Sequence, residues 1–338
     1  MVEKEISLAE AELYDRQIRL WGIESQERLR AANVLLIGVR GLGTEIAKNI
    51  LLAGINSLVM LDDGVVTQEE YHNSFLLNNR NIGEKIAEAV LVNAQALNPL
   101  VKITADTEPL STKSKDYFTH FTIIVATGLK TSQLIEIDDI CRESNIKFIC
   151  GDVFGMFGFS LADLQTHEYH VDQKRLPNRK RTHDGIAAEK HSNEVIIEQI
   201  HSKVVYPAIS DVLLISEKKI VKATEGTRKR RNELYYLMRL LLEFRDKNGR
   251  SPDKTEEDLE QMKLMRQKLL LKYNFKEENF KEEVLQLMFG QIAPICSIVG
   301  GVIAQEVIKA VSRKETPIHN MFLLNPYTFS GKEEIVGV

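Results

Sequence analysis

The stretch Asn33–Gly43, NVLLIGVRGLG, runs a block of branched apolar residues straight into a glycine-rich turn. A short run of that kind reads as a buried strand, and Gly43–Leu52 behind it has helical apolar spacing. Gly38, Gly41 and Gly43 thus form a G-x-x-G-x-G turn between strand and helix. In that context glycines let backbone N–H groups and a helix N-terminus face a phosphate. Asp62 ends the next apolar run about twenty residues on, where an acid would hold ribose hydroxyls. The other reading of Asp62 and Asp63 is that they simply open a turn. Arg40 is the odd residue, because it stands where backbone must approach a phosphate.

Outward from this turn, apolar runs recur at 57–62, 101–106, 121–126 and 146–150, with helical stretches at Gly83–Leu97 and Ser132–Ser144 between them. Short β-branched strands alternating with amphipathic helices imply parallel pairing and right-handed crossovers. The expected fold class is therefore α/β, a doubly wound, mainly parallel Rossmann-type sheet with its ligand crevice outside the carboxyl ends of the strands. Residues 1–164 read as an amino-terminal helix plus this core. Residues 165–203 are polar without a sustained period and read as a partly disordered surface excursion. Residues 204–290 read as a mainly helical insert, with helices at Asn232–Arg245, Thr255–Leu271 and Glu278–Phe289. Residues 291–338 complete the core through a long buried helix at 295–312 and the strand Met321–Asn325.

The 338 residues are enough for a sizeable core, and 43% apolar with 27% charged is ordinary globular composition. A formal charge of −4 argues against general affinity for nucleic acid. Met1–Leu8 is charged, so no signal peptide is expected, and no apolar run of about 18 residues suggests a membrane span. The expectation is a soluble intracellular chain. Cys141, Cys150 and Cys296 include no CxxC pair, which leaves neither a disulfide framework nor a structural zinc site.

Four segments together resemble the ThiF/MoeB-like adenylation fold of ubiquitin-like-protein activating enzymes, over nearly the whole chain: YDRQIRLWG (14–22), the variant glycine turn, IGEKIAEA (82–89) and IVGGVIAQEVIKA (298–310). The stretch IKFICGDVFGMFGFSLADL (146–164), the helical insert and the short length bring the likeness nearest the SUMO-activating branch, whose enzyme is a heterodimer. The resemblance implies ATP-dependent adenylation of the modifier's carboxyl-terminal glycine, followed by thioester capture on a cysteine. Active members carry a third adjacent glycine in the turn, an N-x-N-R-Q-F-L run and an A-L-D-N run.

This sequence departs from the pattern at all three places. Arg40 occupies the turn, Tyr71-His72-Asn73-Ser74 precedes Phe75-Leu76 without the Arg-Gln pair, and Gly128 replaces the metal-binding acid. Nucleotidyl chemistry needs cations on the phosphates and carboxylates on the metal. The pocket of Gly38, Arg40, Gly41, Gly43, Asp62 and Gly128 is therefore expected to be degenerate, with Arg40 filling the phosphate space and the lone chain inactive. ATP and Mg2+ are expected in a partner, the large catalytic subunit, which would also carry the thioester and the link to the SUMO-conjugating enzyme. In the family, the arginine of the Y-D-R-Q motif reaches across the dimer interface into the partner's ATP site, and Arg16 holds that place here. Its guanidinium is always charged and binds phosphate oxygens bidentately. On the residues alone, Asp15, Arg16 and Arg19 also fit an ion-paired helix face.

No cysteine reads as a nucleophile: Cys150 ends an apolar run, Cys296 lies in an apolar helix, and Cys141 sits among Asp138, Asp139 and Glu143. The family's catalytic-cysteine domain and paired CxxC motifs are absent. His167 and His170 have metal-like spacing but read as surface loop, and no metal site is expected. Lys174-Arg175 with Arg179-Lys180-Arg181, and Arg228–Arg231, read as solvated loops or nuclear import signals. Nuclear residence, with the cytoplasm as a second location, rests on the resemblance. Gly300-Gly301 inside a helix implies close packing of another element. Three other functions compete: an NAD-dependent Rossmann oxidoreductase, a scaffold or binding module without an enzyme role, and a homodimeric sulfur-carrier adenylating enzyme. Arg40 counts against the first and Gly128 against the last.

Overall fold

The computed structural model describes residues 7–175, 196–214, 233–273, 277–328 and 330–337. Three short helices open it: α1 (Leu8–Leu13), α2 (Asp15–Trp21) and α3 (Ile23–Arg30). The α/β alternation follows as β1 (Asn33–Ile37), α4 (Gly41–Ala53), β2 (Ser57–Leu61), α5 (Gln68–Asn73), α6 (Ile86–Leu97), β3 (Lys102–Asp106), α7 (Lys115–Phe118), β4 (Ile123–Thr127), α8 (Thr131–Glu143) and β5 (Lys147–Phe154). Next come β6 (Phe157–Asp163), β7 (Thr166–Arg175), β8 (Ile196–Val205), α9 (Ile209–Leu213), α10 (Glu233–Asn248), α11 (Glu256–Tyr273), α12 (Ala293–Ser312), β9 (Met321–Asn325) and β10 (Ser330–Glu334).

The eight-stranded sheet has the order β10-β9-β6-β5-β4-β1-β2-β3. Strands β1 to β5 pair in parallel, and β6, β9 and β10 extend the sheet antiparallel. Side chains alternate across a strand, and β1 shows both destinations. Val34 and Leu36 enter an apolar layer with α4, α6 and α12, whereas Leu35 and Ile37 enter the opposite layer with α8, α9, α10 and α11. The helical insert is thus one cover of the sheet, sharing its core. Strand order turns outward on either side of β1, which makes the β1/β4 boundary the switch point where a crevice opens. Ile37 pairs with Leu61 on one side and Ala126 on the other, so Gly38, Asp62 and Thr127 emerge together at that crevice.

Four sequence expectations are corrected. The ends of 165–203 form an antiparallel ribbon, β7 with β8, whose polar alternation is that of strands with one covered face. Glu278–Phe289 is not an α-helix: Glu277–Asn279 and Glu282–Leu287 are 3-10 turns. The carbonyls of Leu287 and Gly290 accept from Met156 and Gly155 N–H (2.9 and 2.7 Å), which docks this segment on the β5–β6 turn. Strand β6 was not anticipated, and β5 runs on to Phe154. Helix α12 is long and apolar enough by length and composition to cross a membrane, contrary to the expectation of no such run. Val299, Ile303 and Val307 are nevertheless buried in the core layer that also holds α4 residues.

Candidate functional site

A cleft of about 820 Å³ opens at the switch point, lined by the glycine turn, Asp62, Gly128 and Lys130, the end of α10, and the segment before α12. The turn is built as the sequence implies. Gly38 has φ +83°, and a Cβ at Gly43 would overlap the Gly38 carbonyl oxygen. Thr127 Oγ1 donates to that same carbonyl at 2.9 Å, binding β4 to the turn.

Several of the groups that would receive a nucleotide are engaged from within the chain. Asp62 Oδ2 accepts from Val39 N–H and Oδ1 from Gly64 N–H, both at 2.9 Å, so the carboxylate holds two turns together. Arg40 Nη1 lies 3.0 Å from Glu70 Oε1, and its Nε lies 4.0 Å from Asp62 Oδ2. The guanidinium remains about half exposed within the cleft. At the α4 N-terminus, Leu42 N–H donates to Gln291 Oε1 at 3.2 Å. At the α8 N-terminus, Thr131 N–H donates to Asp246 Oδ1 at 2.9 Å. These are two of the orphan donors that make helix N-termini anion sites, and here the chain satisfies those two itself.

Deeper in the wall, Arg245 forms an ion pair with Asp152, both buried, and its Nε donates to Ser251 Oγ at 2.9 Å. Burial, then Glu70 and Asp253, raises the Glu69 pKa at the cleft's acidic side. Gly128 has φ +72° with open space around it and supplies no carboxylate. Among the described residues no group of three metal-ligating side chains exists. The lining thus offers no carboxylate at position 128, and Asp62 is already engaged by two backbone N–H groups.

Arg16 lies elsewhere. It is exposed near the start of α2 and is not part of the cleft lining. Asp15 and Arg19 form the ion-paired helix face at 3.0 Å, but among the described residues the Arg16 side chain makes no hydrogen bond or ion pair. Exposed Leu13, Leu20 and Ile23 flank it along α1 to α3, and Leu52 of α4 and Val92 of α6 are exposed too.

All three thiols are buried. Burial and nearby carboxylates push the Cys141 and Cys150 pKa values upward and that of Cys296 up to about 12, which disfavours the thiolate. His167 corrects the surface-loop expectation: it is buried on β7, its Nε2 has no hydrogen-bond partner among the described residues, and burial, with Lys147 and Arg313, lowers its pKa to about 4. His170 is half-buried, its ring 6.1 Å from that of His201 across the ribbon. Residues 179–181 and 228–231 of the basic clusters lie outside the described residues. Of the glycine pair in α12, Gly300 meets α4 and Gly301 faces open space.

Sequence reasoning missed Gln291, Asp246, Asp152 and Arg245. Nothing local marks them, because each acts on a residue far away in the chain.

The model of the ThiF family matches residues 14–335. The chain is 38% identical to the human protein called SUMO-activating enzyme subunit 1, covering 100% of this chain and 99% of that one. For the proteins of the same name from Xenopus laevis and Danio rerio the identities are 37% and 36%, with coverage of 100% and 99%, and of 98% and 97%. Among solved structures, PaaA superposes with a TM-score of 0.58 at 16% identity, covering 98% of this chain and 76% of its own. Escherichia coli MccB with succinimide gives 0.55 at 10% identity, covering 96% and 71%. At such identities the two structures speak for the fold alone.

Proposed function

Because the chain belongs to the ThiF family, we propose that it is the small subunit of a heterodimeric SUMO-activating enzyme, with no thioester cysteine of its own and with Arg16 offered to the partner's ATP site. Full-length relatives named as SUMO-activating enzyme subunit 1 support the enzyme and the modifier. The observation that carries the division of labour is the contrast between a cleft whose Leu42 and Thr131 N–H donors are capped from within the chain and an exposed Arg16 side chain among exposed apolar side chains.

ATP and Mg2+ belong to the large catalytic subunit, which adenylates the SUMO carboxyl terminus, carries the thioester and hands SUMO to the conjugating enzyme. This chain contributes a guanidinium to the phosphates there, and Leu13, Leu20 and Ile23 contribute apolar surface to the contact. Supplying charge from a second chain makes adenylation depend on assembly. The complex works in the nucleus, with a cytoplasmic pool.

The test is ATP-dependent adenylate and thioester formation by this chain, by the large subunit and by the mixture, offered SUMO, NEDD8 and ubiquitin in parallel. Activity is expected only in the mixture and only with SUMO. Arg16→Ala should lower adenylation about 10²-fold, the scale of losing one preorganised charge-stabilising donor. Adenylation by this chain alone, or an unimpaired Arg16→Ala complex, overturns the proposal.

A further inference from the structure

Helix α2 carries Arg16 and has no fully buried residue, with Trp21 its partly buried contact to the apolar core. Its position is fixed further at the far end of α4. The last carbonyls of a helix lack intrahelical partners. Here three carboxamides donate to them in succession, Leu51 O accepting from Gly54 N–H as well. Asn98 Nδ2 donates to Leu51 O at 2.7 Å, Gln17 Nε2 to Leu52 O at 2.9 Å, and Gln26 Nε2 to Ala53 O at 2.9 Å.

Each amide is also tied to the amino-terminal helices. Asn98 Nδ2 donates to Tyr14 Oη at 2.9 Å, Gln17 is the neighbour of Arg16, and Gln26 Oε1 accepts from Trp21 Nε1–H at 3.1 Å. Asn98 Oδ1 accepts from Leu100 N–H at 3.1 Å, which leaves the side chain little freedom to turn. The Tyr14 ring closes the clasp against Gly54, where a Cβ would lie 2.5 Å from Tyr14 Cζ. Gly54 has φ +80°, so glycine is required there on conformational grounds too.

We propose that Gln17, Gln26 and Asn98 are positioning residues for Arg16, an amide clasp that fixes the helix bearing it to the C-terminus of α4. This rests on the reading that Arg16 acts in the partner's site. It assigns separate parts to the Y-D-R-Q motif: Tyr14 and Gln17 anchor, Asp15 holds Arg19 aside, and Arg16 projects. A guanidinium serving another chain's phosphates must arrive with a set direction, because a displacement of about 1 Å costs up to about 10²-fold in rate.

The experiment uses the reconstituted heterodimer, with ATP–pyrophosphate exchange giving kcat and KM for ATP, and with subunit affinity measured separately. Gln17→Ala, Gln17→Glu and Asn98→Asp are each made beside Arg16 and again beside Arg16→Ala. Gln17→Glu and Asn98→Asp keep side-chain size while removing the amide donors. The expected result is a loss of about tenfold in kcat with unchanged subunit affinity when Arg16 is present, and almost none when it is absent. Equal losses in both backgrounds would mean that the amides serve only folding, and no loss in either would mean that the clasp is idle; both overturn the proposal. If Arg16→Ala alone leaves kcat intact, the trans-arginine reading fails first and takes the clasp with it. Gln17 is partly exposed, so its variants report even if those of Asn98 do not fold.

Discussion

Replacing Gly300 and Gly301 by alanine, one at a time, should give effects of opposite sign. The two share a helix, and each replacement gains about 1 kcal/mol of helix propensity. At Gly301 nothing lies within 4 Å of the new Cβ, so that gain stands. At Gly300 the Cβ would sit 2.7 Å from Glu45 Cβ and 3.3 Å from Ile46 N. Those atoms belong to the backbone and root of α4, not to a flexible tip, so the helices must move apart. Overpacking of this kind costs about 2 kcal/mol, within a usual range of about 1–3 kcal/mol. The net is a loss of about 1 kcal/mol at Gly300 against an equal gain at Gly301, a spread of about 4 °C at roughly 2 °C per kcal/mol. Urea unfolding at one protein concentration measures it, with the midpoint shifting and the slope unchanged. If both variants are stabilised alike, the α4–α12 approach is looser than described and the reasoning fails. The contact matters for function because α4 carries the glycine turn at one end and the amide clasp at the other.

Asp152→Ala should cost about 3–5 kcal/mol by stranding Arg245 as a buried, unpaired charge, while Asp152→Ala with Arg245→Met recovers most of it; equal unfolding midpoints for the single and double variants would refute the pairing. Asp138, buried beside Asp163, has its pKa pushed up from 3.8 to about 8, first by burial and then by that neighbour. Between those values the folded chain holds a proton that the unfolded chain has released, so stability falls as pH rises through the window and levels off above it. Asp138→Asn should flatten that slope, and identical urea midpoints for variant and parent from about pH 5 to pH 9 would sink the assignment. The thiols of Cys141, Cys150 and Cys296 should resist Ellman's reagent at about pH 8 in the native chain and all react after unfolding; rapid native labelling at any of them would contradict their burial.

The core topology was legible because its signals are local. Branched runs such as Asn33–Ile37 and helical spacing such as Ile86–Leu97 report elements through short-range periodicity, and Gly38 in the turn reports a backbone shape that few other residues adopt. The resemblance carried by YDRQIRLWG and the altered turn pointed to Arg16, Arg40 and Gly128. The failures came where a partner distant in sequence decides. Residues 166–175 and 196–205 become strands because they pair with each other, and 282–287 is docked as 3-10 turns where Leu287 and the following Gly290 accept from Met156 and Gly155. The sequence by itself thus determined the class of fold and the departures from an active nucleotide turn. Only the tertiary structure decided that Gln291 and Asp246 cap the helix N-termini of the cleft and that three amides hold α2. A hydrogen bond depends on atoms brought within about 3 Å, and the spacing of residues along a chain does not encode which distant donor will arrive there.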